Sequence, residues 1–231
     1  MDLNTIALSG VAWELFDLGM NRVPASPYTD AVVHYVKAMQ TAKGNWRTNE
    51  GRRPPMTAGD FQATALALYA IKNYGRPADR AENDQAIARA AAWLETAKPL
   101  TTQDRAFHLL GMAWSKSNGA ANAAKALVAT QRDDGGWSQL ATLDSDAYAT
   151  GEALYALHVG GSVPTSAPAY RKGVKYLLNT QATDGSWHVK SRSIWLQPYF
   201  DSGFPYAHDQ WISAAGTSWA TMALSLTQNR R

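Results

Sequence analysis

The chain contains no cysteine. Disulfides and thiolate-bound metal sites are therefore excluded, while the compartment stays open. No apolar run approaches the roughly 20 residues that a membrane-spanning helix needs. The N-terminal stretch lacks the basic start of a secretory signal, so the localisation is unknown. A surplus of one charge is missing too: 22 Lys and Arg face 19 Asp and Glu, for a net +3. The basic residues are scattered, with Arg52-Arg53 as the main local pair and Arg230-Arg231 at the tail. That pattern is no footprint for nucleic acid.

Against these gaps stand 231 residues that are 45% hydrophobic and carry nine tryptophans, which suits a folded globular protein. Gln40 is followed six residues later by Trp46 (QTAKGNW), Gln131 by Trp137 (QRDDGGW) and Gln181 by Trp187 (QATDGSW). Three copies of one spacing, each with a glycine inside, mark a repeat protein. Helical periodicity with Gly and Pro breaks places helices at about 4–18, 29–41, 60–74, 83–97, 102–116, 119–131, 145–159, 167–181 and 213–228, with no convincing strand. The Pro54-Pro55 pair keeps the segment before Asp60 out of a helix.

The helices pair as hairpins. Ala63-Thr64 to Ile71 aligns with Ala149-Thr150 to Leu157, 86 residues or two units of 43 further on. His108 falls where the threonines stand, and Trp219-Ala220-Thr221 starts the same pattern in the last unit. These second helices are apolar nearly all round, as inner helices should be. The first helices, such as 82–97, carry charge on one face and form the outer layer. The expected organisation is one domain over 1–231, with hairpins at about 29–75, 82–117, 119–160 and 167–228 and an orphan inner helix within 1–20.

The Gln–Gly–Trp element resembles the QW motif of the squalene and oxidosqualene cyclases, and the hairpin unit is similar to that of protein prenyltransferases. The resemblance covers about 29–226, and Ser202-Gly203-Phe204-Pro205 is similar to a GTGFP element near the end of the bacterial cyclases. It implies an all-α fold, an α/α toroid of about four and a half hairpins, forming a partial barrel. It also implies that each Gln amide satisfies free backbone groups at helix ends, while the Trp packs over it to tie hairpins together. Six hairpins usually close such a ring. The expectation is therefore a C-terminal part attached to a missing N-terminal region, a partial ring, or one protomer of a homodimer that covers the open apolar faces.

Asp60, Asp104 and Asp146 occupy equivalent positions, each four residues before Thr64, His108 and Thr150. Thr57-x-x-Asp60 and Thr101-x-x-Asp104 have capping-box spacing, a structural role. Asp146 differs, because Leu143 stands where the capping threonine would be and Asp144 lies two residues away. In a ring these acids would gather at one mouth, where an apolar pocket raises a carboxyl pKa and makes it a proton donor. Asp144-Ser145-Asp146-Ala147 resembles the DxDD motif of bacterial triterpene cyclases, which assigns proton donation to Asp146, although Ala147 replaces the last Asp. The prenyltransferase zinc set is not matched, since Asp146 stands for its cysteine and Thr217 for its histidine. No metal or other cofactor is expected.

The segment 185–212 is long for a compact domain and rich in aromatics: Trp195, Tyr199, Phe200, Phe204, Tyr206 and Trp211, with His188, Arg192, Asp201, His208 and Asp209 among them. It is either a lid stitched down by its rings or a cap that brings His208 or Asp209 to Asp146. His208, Asp209, Asp144 and Asp146 together also have the chemistry for a hard or borderline metal. The catalytic candidates are thus Asp146, Asp144, His208 and Asp209. The candidates for contact with substrate are Tyr148, Tyr155, Tyr69, His108, Phe204, Tyr206 and Trp211. His108 faces either the funnel or the core, and the tyrosines either line a cavity or simply pack. His34 and His158 read as packing or surface residues.

Three functions compete. One is a terpene-cyclase-like domain that protonates and cyclises an isoprenoid in an aromatic funnel. Another is a non-catalytic toroid that binds a hydrophobic small molecule or a protein. The third is a lyase or hydrolase of acidic polysaccharides, an analogy of fold alone.

Overall fold

The computed structural model describes residues 8–48, 53–57, 59–194 and 198–228. Residues 4–7 of the first expected helix, Arg52, Trp195, Arg230 and Arg231 lie outside the described residues. The described chain is mostly helical. Its elements are α1 (Leu8–Met20), α2 (Pro27–Ala38), α3 (Asp60–Tyr74), α4 (Arg80–Thr96), α5 (Thr102–Trp114), α6 (Ala120–Val128), α7 (Ala147–Val159), α8 (Pro168–Thr180) and α9 (Gln210–Ser225). Two-residue strands, β1 (Trp137–Ser138) and β2 (Ser145–Asp146), pair antiparallel with Trp137 opposite Asp146. The sequence showed no strand because two residues carry no periodicity. Among the described residues no helix is long and apolar enough to cross a membrane.

The odd-numbered helices pack in succession, α1 on α3, α3 on α5, α5 on α7 and α7 on α9. The even-numbered ones flank them, α2 and α4 on α3, α6 on α5, and α8 on α7. Burial follows this division. In α3 and α7 nearly every residue is buried, whereas α4 buries only Asn83, Ala86, Ala90 and Leu94 and turns its charges outward. Helices α7 and α9 approach so closely that a Cβ on Gly151 would lie 2.5 Å from the backbone of Trp219 and Ala220.

The repeat element has one hydrogen-bond scheme in all three copies. The indole N–H of Trp46, Trp137 and Trp187 donates to the carbonyl ten residues earlier, at Val36, Leu127 and Leu177. The backbone N–H of the same tryptophans donates to the hydroxyls of Thr64, Thr150 and Thr217. The Gln40 and Gln131 amides donate to Gly44 and Gly135 and also reach the next outer helix, at Ala86 and Ala169. Gln181 repeats only the first of these bonds, to Gly185. The Gln amides thus reach carbonyls inside α4 and in the first turn of α8, not free groups at helix ends. The glycines hold φ of 94°, 88° and 87°, a region that penalises any Cβ. The hydroxyl contacts also set the register of the last unit: Thr217, not Thr221, is the equivalent of Thr64, and Ser213 stands where the other helices carry an acid.

The space between the odd-numbered helices is occupied by rings. Trp13 of α1 meets Phe107 of α5 and Trp219 of α9, both at 5.9 Å between centroids. Phe16 meets Tyr69 of α3 at 5.1 Å, Trp114 of α5 at 6.0 Å and Tyr155 of α7 at 6.4 Å. Two side chains of α1 therefore touch all four other odd-numbered helices.

Candidate functional site

The N-terminal ends of α3, α5 and α7 lie together, and a cavity of about 180 Å³ opens between them. Pro54, Pro55 and Gly59 come from the segment before α3, Gln139 and Leu140 from the connection between the short strands, and Arg192 from the long C-terminal segment. The wall is completed by Thr101, Gln103 and Asp104 of α5's first turn and by Tyr148, Ala149 and Glu152 of α7.

Local rules place several of these groups. Thr101 and Asp104 form the expected capping box: the Asp104 N–H donates to the threonine hydroxyl, and the Asp104 carboxylate accepts from the Thr101 N–H. Thr57 and Asp60 do not form theirs. Gly59 is the cap residue of α3, the Thr57 hydroxyl accepts from the Arg53 N–H, and Asp60 accepts from the Asn45 amide. Burial pushes the Asp60 carboxyl up, and nearby Asp104 adds to the rise.

Asp146 is itself the cap of α7, accepting the Ala149 N–H at 2.9 Å. It is partly buried, and the loss of solvent raises its pKa from 3.8 to about 6. The Ala149 and Tyr148 N–H groups, the Gln139 side chain and the Arg192 charge oppose that rise without cancelling it. Arg192 is aligned by donating its Nε–H to the Gln139 side-chain oxygen Oε1 at 2.7 Å.

One turn and a half along α7 stands Glu152, which the sequence reading overlooked. It is fully buried, it faces the cavity, and neither carboxyl oxygen has a hydrogen-bond partner. Burial raises its pKa well above the ordinary glutamate value, and the charges of Asp146 and Asp104 push the same way. An ionised carboxylate without a partner at that depth would cost several kcal/mol, so Glu152 holds a proton. Beside it the Tyr148 hydroxyl donates to the Gln103 oxygen at 3.0 Å, while the Gln103 amide donates to the Pro55 carbonyl at 2.9 Å. One signal for Glu152 was present in the sequence, a single charge in an otherwise apolar inner helix.

The remaining candidates are dispersed. Asp144 is exposed and does not line the cavity. Asp209 accepts from the His188 ring at 2.7 Å and from the Ser191 N–H at 2.8 Å, and His208 packs edge-on against Tyr199 at 4.9 Å. Neither belongs to the cavity wall. Tyr69 and Tyr155 belong to the central ring cluster, with the Tyr155 hydroxyl 3.5 Å from the Met20 sulfur. His108 turns toward α4, its Nε2–H donating to the Leu94 carbonyl at 2.9 Å while its ring meets Phe61, so it is a core histidine. Phe204, Tyr206 and Trp211 lie along the long segment. The Tyr206 ring stacks on His188, and Trp211 lies beneath the Arg53 guanidinium at 5.4 Å. Of the sequence candidates, only Tyr148 lines the cavity, and Asp146 stands beside it as the cap of α7. No group of three or more His, Cys, Asp or Glu among the described residues is arranged to hold a metal ion.

A scan against protein-family models finds no match to this chain, and a search of curated proteins finds none either.

Proposed function

We propose that the chain is a cyclase-type α/α toroid whose carboxyl-lined cavity is a proton-donating site for the end of an isoprenoid chain. The observation that carries this is the unpartnered Glu152 carboxyl facing the cavity next to Asp146, whose own pKa is raised to about 6. The toroid is supported by the succession of odd-numbered helices, by the Trp13–Trp219 contact between the first and the last of them, and by the repeated Trp–Thr bonds.

Glu152 is the donor because it lines the cavity, whereas Asp146 spends one carboxyl oxygen on the helix cap. The Asp146 charge keeps the Glu152 proton in place and would stabilise the carbocation that forms when an alkene held against it takes that proton. At about 30 Å³ per water-sized group, the cavity holds roughly six non-hydrogen atoms, close to one isoprene unit. Protonation of that unit's double bond leaves a tertiary cation facing the Glu152 carboxylate. Loss of a proton from the product restores the acid. The remainder of the substrate lies outside, since the Trp13 and Phe16 rings fill the centre.

The test is incubation in D₂O with squalene analogues and shorter isoprenoid alkenes and epoxides, followed by mass spectrometry. Wild type incorporates deuterium into product, and Glu152→Gln lowers the rate by about a hundredfold or more. No deuterated product, or an unaltered rate in the variant, overturns the proposal.

A second function, a non-catalytic toroid that binds a partner, is favoured by the rings that pack between the odd-numbered helices among the described residues. It predicts binding indifferent to Asp146→Asn and Glu152→Gln. The polysaccharide alternative has little support, because Arg192 is the one cation among the cavity-lining residues.

A further inference from the structure

We propose that the same cavity binds a small organic cation, an alkylammonium group, with the Glu152 carboxylate as its counter-ion. This rests on the cavity being the functional site, but not on proton transfer to an alkene.

The wall provides acceptors and surplus negative charge. Both Glu152 oxygens are buried and without a hydrogen-bond partner, although buried polar groups in folded proteins nearly always have one. A molecule held in the cavity, which Glu152 lines, can supply the missing partner. Within the wall Tyr148 donates to Gln103, Gln103 to Pro55 and the Arg192 Nε–H to Gln139, and none of these bonds ends on Glu152. Arg192 offsets the charge of Asp146, while the charges of Asp146 and Asp104 both disfavour an ionised Glu152. A ligand that brings N–H donors and a positive charge satisfies both needs at once.

The cation is organic for two reasons. The described carboxylates are not grouped to coordinate a metal. The rest of the lining, Pro54, Pro55, Leu140 and Ala149, is apolar and suits a hydrocarbon stem. Room for about six non-hydrogen atoms corresponds to an ammonium nitrogen on a five-carbon chain. On binding, the ligand's charge reverses the local field, so the Glu152 proton leaves to solvent and a carboxylate–ammonium pair remains. One proton is released for each ligand bound.

The experiment is calorimetric titration of the full chain with n-pentylammonium and with 1-pentanol, in two buffers of different ionisation enthalpy at neutral pH. Wild type should bind the ammonium about tenfold or more tightly than the alcohol, with release of about one proton. Glu152→Gln should lose both the preference and the proton release. Leu140→Trp, which fills the cavity and leaves Glu152 intact, should abolish binding. Equal affinity for the two ligands, no measurable binding of either, or unchanged ammonium binding in both variants overturns the proposal. Ammonium binding by a wild type that turns over no isoprenoid supports this site and removes only the acid chemistry.

Discussion

Asp146→Asn should make the protein more stable at alkaline pH, an unusual result for a partly buried polar residue at a helix end. Asn ranks with Asp as a helix cap and can accept the same Ala149 N–H, so the cap is retained. What the substitution removes is an ionisation. The folded-state pKa of about 6 lies above the ordinary 3.8. Below about pH 4 the carboxyl is protonated in both states, and its contribution is fully present. Between about pH 4 and 6 the unfolded chain ionises while the folded one holds its proton, so stability falls, and above about 6 the loss is complete. At about 1.36 kcal/mol per pH unit the loss is about 3 kcal/mol, and partial exposure screens it to about 2. Urea denaturation, followed by tryptophan fluorescence from pH 4 to 8, measures the difference between the two proteins. Near pH 4 the two should agree. At pH 8 the variant should be ahead by about 2 kcal/mol. A difference that does not change with pH, or a variant less stable than wild type at pH 8, would refute the reasoning.

Other substitutions test the frame around the site. Gly185→Ala should cost about 1–2 kcal/mol for its positive φ alone, whereas Gly135→Ala should cost distinctly more, because its Cβ would also lie 2.7 Å from the Lys172 carbonyl oxygen. Paired urea melts decide this, and equal losses would contradict it. Trp137→Phe deletes the bond to Leu127 and should cost about 1–2 kcal/mol beyond the lost ring area. Trp13→Ala empties the centre of the ring cluster and should cost about 3–5 kcal/mol by thermal or chemical denaturation. A loss under about 1 kcal/mol would mean that α1 does not pack there.

The repeat was legible because its chemistry is local. An indole that reaches back ten residues, and a turn that needs a glycine with positive φ, impose a fixed Gln-to-Trp spacing that any reader of the sequence can count. The helices were legible for the same reason, and their ends shifted where tertiary contacts decided, as at α9, which starts at Gln210 behind a short 3₁₀ turn over Ala207–Asp209. Asp60 misled because Asn45 of the first repeat turn, not Thr57, supplies its partner. Glu152 was hidden for a deeper reason. Its burial is set by helices distant in sequence, and within ATGEALYAL it looks like one more helix former. The ring cluster was hidden likewise, because only the packing shows that Trp13 and Phe16 of α1 meet rings of α3 and α5.

The most direct measurement follows the glutamate side chains themselves. The chain has five glutamates, at 14, 50, 82, 95 and 152. Carbon-13 labelling of their carboxyls, read by NMR from pH 3 to 8, resolves each titration, and the Glu152→Gln spectrum assigns the one of interest. The account predicts that this signal keeps its protonated shift at neutral pH. An ordinary carboxylate titration of that signal would contradict it, since Glu152 would then be neither a proton donor nor a counter-ion waiting for a ligand.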